Sequence, residues 1–160
     1  MSSNNDQAIA GFADFFEVAI PIRASAERMY ELVTNIEGLT EFFPSISFKV
    51  DSDEPLAVGS TYQTLQKGYK TWVPYRVLAL DTNARMSAEL VGKDPLFKKL
   101  RYDHRFESQG DTTTSIERVD YTFRYGIAGR FLNFVIGKRL VRKQVLDAHE
   151  KLREVAAKPL

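Results

Sequence analysis

Residues 129–156 form the one long stretch of this chain in which apolar side chains recur with a 3.6-residue period. Phe134, Val141, Val145, Ala148, Leu152 and Val155 fall within about 100° on a helical wheel, the width of a core-facing stripe. Lys138, Arg139, Arg142 and Lys143 flank or oppose it. A helix of ~27 residues runs about 40 Å, enough to cross a small sheet. Gly137 and Ala148 sit at the edge of the stripe, so its buried side is unevenly filled. Laid on a curved sheet, such a helix leaves a cavity, expected here at about 300–1,000 Å3.

The rest of the chain supplies that sheet. Residues 15–22 read as a strand with Phe16, Val18, Ile20 and Ile22 on one face, and Pro21 suits an edge or a strand end. Ser25 is an N-cap, followed by Glu27 where the helix dipole favours negative charge. That helix breaks near Asn35 and Gly38, and a second short helix over 39–43 is stopped by Pro44. From residue 45 the period changes to two. Strands are expected from 45 to 50, 61–66, 69–80 (with Trp72 inside and Pro74 at a bulge or edge), 85–91, 100–107 and 113–125. Turns fall at 51–55, Lys67-Gly68, 81–83, 92–95 and 109–111. In the last two strands Leu100, Tyr102, His104 and Phe106, then Val119, Tyr121, Phe123 and Tyr125, point inward. Arg118, Asp120 and Arg124 point outward.

The order is strand, two short helices, about six consecutive antiparallel strands, and one long helix. That is an α+β chain with a single sheet covered on one face. Residues 14–157 are expected as one domain behind a flexible N-terminus of residues 1–13.

Twenty-two basic and 21 acidic residues leave a net charge of +1, without the excess expected of a nucleic-acid binder. The absence of cysteine removes disulfides, thiolate metal sites and cysteine nucleophiles. No apolar run reaches a membrane span, residues 1–7 are polar, and a cytoplasmic location without stable membrane insertion is expected. Eleven Phe, seven Tyr and one Trp supply rings for a core and for a small-molecule pocket alike. No glycine-rich phosphate loop, Gly-x-Ser-x-Gly elbow or His-Glu-x-x-His sequence occurs.

Three passages resemble the START-like or helix-grip superfamily, which includes the birch-pollen-allergen proteins and the polyketide cyclase/dehydrase-like families. They are FEVAIPIRASAERMYELVTNIEGLTEFFPSI, VGSTYQTLQKGYKTWVPYRVLALD and DPLFKKLRYDHRFESQGDTTTSIERVDYTFRYGIAGRF. The resemblance covers about residues 15–155. It implies a helix-grip fold, with a curved antiparallel sheet of about seven strands wrapped around the long C-terminal helix. Bacterial relatives often carry Trp-x-His-x-His-x-Phe on the penultimate strand; here the matching residues are Leu100, Tyr102, His104 and Phe106.

His104 is read either as a pocket group that orients a ligand or moves a proton, or as a core histidine satisfied by its neighbours. His149 is placed on the flank of the helix. Glu117 shares parity with Val119 and Tyr121. It reads either as an inward carboxylate of raised pKa able to act as an acid or, near a strand start at the cavity mouth, as a solvated one, and the solvated reading is taken. That leaves two histidines without a carboxylate at ligand spacing, and neither metal nor cofactor is expected. Phe43, Tyr62, Trp72, Tyr102, His104, Tyr121, Phe123, Phe134, Val141 and Val145 are the expected ligand contacts. The function so read is binding or transport of one small hydrophobic or amphipathic molecule (a lipid, polyketide or quinone) between sheet and helix. Two alternatives stand beside it. One is a cyclase/aromatase- or dehydratase-like enzyme, working by acid/base chemistry in the same cavity. The other is an interaction module using the basic helix face, and self-association is left open.

Overall fold

A computed structural model of the chain describes residues 9–126, 128, 131 and 137–158. Seven strands form one antiparallel sheet. They are β1 (Asp14–Ile22), β2 (Ile46–Val50), β3 (Thr61–Gln66), β4 (Val73–Asp81), β5 (Arg85–Leu90), β6 (Phe97–Gln109) and β7 (Thr112–Phe123). Their spatial order is β1-β7-β6-β5-β4-β3-β2, so the first and last strands in sequence lie side by side. Helix α1 (Ala26–Thr34) and a 3-10 turn (Glu37–Glu41) carry the chain from one edge strand to the other. Helix α2 (Lys138–Ala156) grips the inner face of the curved sheet, which is the helix-grip fold.

Local chemistry accounts for the boundaries. Ser25 Oγ accepts the Arg28 amide at 3.1 Å, capping α1, and Asn35 closes it. Replacing Ser25 by alanine orphans that amide and should lower unfolding free energy by about 1 kcal/mol in urea denaturation. Thr34 Oγ1 folds back onto the Tyr30 carbonyl at 2.7 Å, a local bond that competes with continuation of the helix. Gly110, at φ +64°, makes the tight turn that pairs Gln109 with Thr112 and so sets the register of β6 on β7.

Four sequence expectations change. The second short helix is a single 3-10 turn at Glu37–Glu41, too short to bury a residue of its own. The strand expected over 69–80 begins at Val73, leaving Trp72 outside it. Pro74, without an amide hydrogen, sits at the start of β4, and the register shift of that strand falls later, between Val77 and Ala79. The outward side chains of β7 are not solvated, since Arg118 is 4% and Asp120 0% exposed. Residues from the N-terminal side return over them. The Ile9 amide donates to Asp120 Oδ1 (3.1 Å), the Phe15 ring lies 4.2 Å from the Arg118 guanidinium, and the Ala13 amide reaches the Tyr121 carbonyl at 3.1 Å.

The core lies between the inner sheet face and the helices. Ile22 and Val119 from the sheet, Met29 from α1, and Val145 and Leu152 from α2 are each 3% exposed or less. Among the described residues no helix is long and apolar enough to cross a membrane.

Candidate functional site

Between α2 and the inner sheet face the packing leaves a cavity of about 150 Å3. It is smaller than the expected range because rings turn inward from the strands. Tyr62 and Tyr75, cross-strand partners on β3 and β4, stack at 5.5 Å, and Tyr102 on β6 follows at 6.0 Å from Tyr75. Burial pushes all three phenols up from their ordinary range, so they stay protonated. Val141, Val145, Ala148 and Leu152 form the helix wall, and the small Ala148 helps keep the space open. Phe42 and Phe43, just past the 3-10 turn, close one side. Asp94, buried in the β5–β6 connection, accepts the Leu96 and Phe97 amides at 2.7 and 2.8 Å and fixes another part of the wall.

Three ionisable groups meet on the cavity wall. His104 and Glu117 are directly opposed across β6 and β7, and His149 comes down from α2. Each offers a donor atom within 4.8 Å of those of the other two, and all three are buried. His149 Nδ1 lies 2.9 Å from the Val145 carbonyl and 3.6 Å from Glu117 Oε2. A carbonyl oxygen only accepts, so Nδ1 carries a proton, and in the neutral ring Nε2 presents the lone pair. That Nε2 is buried without a hydrogen-bond partner among the described residues. His104 Nε2 sits 2.6 Å from Ser115 Oγ, and the two imidazole centroids are 5.2 Å apart. Burial, reinforced by His149, holds His104 well below the usual histidine range. Burial raises the Glu117 carboxyl, while His149 opposes that rise. A neutral imidazole and a carboxyl poised to hold a proton can orient a polar ligand group or exchange a proton with it.

Of the residues singled out from sequence, Phe43, Tyr62, Tyr102, His104, Val141 and Val145 stand on the cavity wall. Three do not. The Trp72 ring is half-buried before β4 and lies 4.4 Å from Lys49 Nζ, off the inner face. Tyr121 and Phe123 pack behind Phe97 at 6.2 and 5.0 Å, and it is Phe97 that reaches the wall. Tyr121 also donates to Asp14 Oδ2 at 3.0 Å. Phe134 lies outside the described residues.

Glu117 takes the inward of its two sequence readings, not the solvated one preferred, and His149 is misplaced. Glu117 is 6% exposed, because β7 is flanked by β1 and β6 and roofed by α2. His149 is 1% exposed, one helical turn beyond Val145 and three residues before Leu152, and thus inside the stripe. A signal for the pair is present in the chain. Counting back and forward from Gly110-Asp111 sets His104 opposite Glu117. On the basic face of α2, Lys138 pairs with Asp14 at 3.2 Å and Lys143 with Asp147, so half of that cluster is neutralised.

Among solved structures the fold is shared with a Thermus thermophilus protein, TTHA0849, at TM-score 0.74 and 19% identity over 91% of this chain and 100% of that one. A START superfamily protein of Mycobacterium smegmatis follows at TM-score 0.72 and 14% identity, covering 90% and 97%. The di-domain ARO/CYC StfQ of the steffimycin biosynthetic pathway gives 0.70 and 11%, covering 89% of this chain and 50% of that one. At these identities the likeness concerns the fold alone. No curated protein matches the sequence. Residues 22–149 match the family described as polyketide cyclase / dehydrase and lipid transport, and over that span the chain belongs to this family.

Proposed function

We propose that this protein binds one compact hydrophobic or amphipathic molecule in the cavity between sheet and C-terminal helix. The observation that carries this reading is a mainly apolar space bounded by α2, with three buried ionisable groups clustered on its wall. Apolar walls supply affinity at about 25 cal/mol per Å2 of ligand surface removed from water, and the polar cluster supplies orientation. A volume of about 150 Å3 suits a ring-sized ligand better than a long acyl chain. Phe43, Tyr62, Tyr102, His104, Val141 and Val145 are its proposed contacts. The family supports a ligand-binding or polyketide cyclase-like role. The meeting of Glu117 with two imidazoles favours, as a second reading, acid/base chemistry on a bound ligand.

Filling the cavity tests the first reading. Ala148 is 4% exposed and lies on the wall, so Ala148→Leu sends its extra carbons into open space. Its stability should stay within about 1 kcal/mol of the parent, far less than overpacking a solid core costs. A small cyclic probe such as indole should raise the parent's melting temperature. At one hundred times Kd the gain is about 2.7 kcal/mol. The same probe should leave Ala148→Leu unmoved. A parent that responds to no small apolar probe, or a response that persists in the variant, would remove the cavity as the binding site.

A further inference from the structure

We infer that His104, Glu117 and His149 form a binding site for one divalent transition ion, Zn2+ or Fe2+, on the cavity wall. The inference goes beyond ligand binding and does not depend on it.

The donor set is two imidazoles and one carboxylate, each 8% exposed or less, drawn from β6, β7 and α2. Their donor atoms already lie within 4.8 Å of one another. An ion with bonds of about 2.0–2.2 Å needs neighbouring donors about 3.4 Å apart in tetrahedral geometry. Donor separations of up to 4.8 Å must shorten towards that spacing as an ion binds.

A second observation is independent of the clustering. His149 Nε2 is buried with no hydrogen-bond partner among the described residues, while Nδ1–H is held by the Val145 carbonyl at 2.9 Å. Proteins orient a metal-ligating histidine in this way, tying one ring nitrogen to a carbonyl so that the other presents its lone pair. Ser115 Oγ, 2.6 Å from His104 Nε2, likewise holds the second ring through one nitrogen. Leaving a nitrogen lone pair dry costs free energy that an ion would recover.

The donor types choose the metal. Mg2+ and Ca2+ take oxygen ligands, and one carboxylate is too few for either. Two imidazoles with one carboxylate suit Zn2+ or Fe2+ and leave coordination positions open. Those positions face the cavity, because all three residues line it.

Cobalt substitution gives the test. Full-length protein stripped with EDTA and titrated with Co2+ should take up one equivalent and develop visible ligand-field bands. Zn2+ should then displace it at one equivalent. In the Co2+ protein, imidazole proton resonances assigned to His104 and His149 should be strongly shifted in the NMR spectrum. That readout needs no variant. Glu117→Gln, which preserves shape, and His149→Gln should each weaken Co2+ binding by about 100-fold or more. Folding of each is checked by its melting transition. Absence of stoichiometric Co2+ and Zn2+ uptake by the folded parent would overturn the inference. So would uptake that shifts neither histidine, or that survives unchanged in a folded Glu117→Gln protein, since both mean adventitious surface binding. Indole binding to the metal-free protein reads the cavity separately, so either idea can fail without the other.

Discussion

Asp120→Ala is expected to lower the free energy of unfolding by about 3–5 kcal/mol, the cost of breaking a buried ion pair from one side. Asp120 sits on β7, between β1 and β6, with its side chain pointing away from the cavity. The Arg118 guanidinium meets it in two parallel hydrogen bonds, Nε to Oδ2 and Nη2 to Oδ1, both 3.0 Å. Side-chain exposures of 5% and 0% remove the solvent screening that makes a surface pair nearly worthless. Asp120 also accepts the Ile9 amide at 3.1 Å, so the substitution frees the segment that covers the pair. Exchanging both residues for apolar ones of similar volume should cost much less, because no lone charge is then left buried. Urea denaturation of the two proteins separates these outcomes. A loss below about 1 kcal/mol for Asp120→Ala would mean that the pair behaves as an exposed one.

That pair marks where the sequence stops being legible. Alternation along β7 assigns Arg118 and Asp120 to the face opposite Val119 and Tyr121, and the assignment of faces is right. Alternation says nothing of what lies over the outer face. Here it is covered by residues more than one hundred positions away, and no local period carries that information. Strand limits are readable where turn chemistry is strong, as at Gly110 and at Asn83, which adopts φ +59° within the β4–β5 turn. They fail at β4, where Trp72 carries strand propensity but lies before the ladder begins.

The candidate site divides in the same way. His104 stands out in the sequence because it interrupts an apolar face. Strand parity offers Glu117 an inward place while nearness to a strand start argues for exposure, although a two-residue turn makes the facing partner of every β6 residue a matter of counting. His149 shares the helical face of Val145 and Leu152, and its polarity hides its place in the stripe. A polar residue on an apolar stripe is informative because burying it is costly without a partner. The cavity volume is not readable, since it depends on how far Tyr62, Tyr75 and Tyr102 lean inward.

Leu152→Ala should cost about 2–5 kcal/mol and should also change which molecules the protein accepts. Leu152 is 3% exposed on α2, three residues beyond His149, and forms part of the cavity wall. Removing its branched end subtracts hydrophobic burial and merges the vacated volume with existing space. The helix is anchored on both sides of this position by Val145, Ala148 and Ala156, so it cannot collapse into the gap. A ligand too large for the parent cavity should therefore fit the variant. A tricyclic apolar probe, larger than indole, at one hundred times its Kd would restore about 2.7 kcal/mol, most of a mid-range loss, while leaving the parent unchanged. Paired denaturation curves with and without the probe measure both effects. If stability falls but no larger apolar probe restores any of it, Leu152 packs into a solid core. The space beside it would then not be one into which a ligand extends.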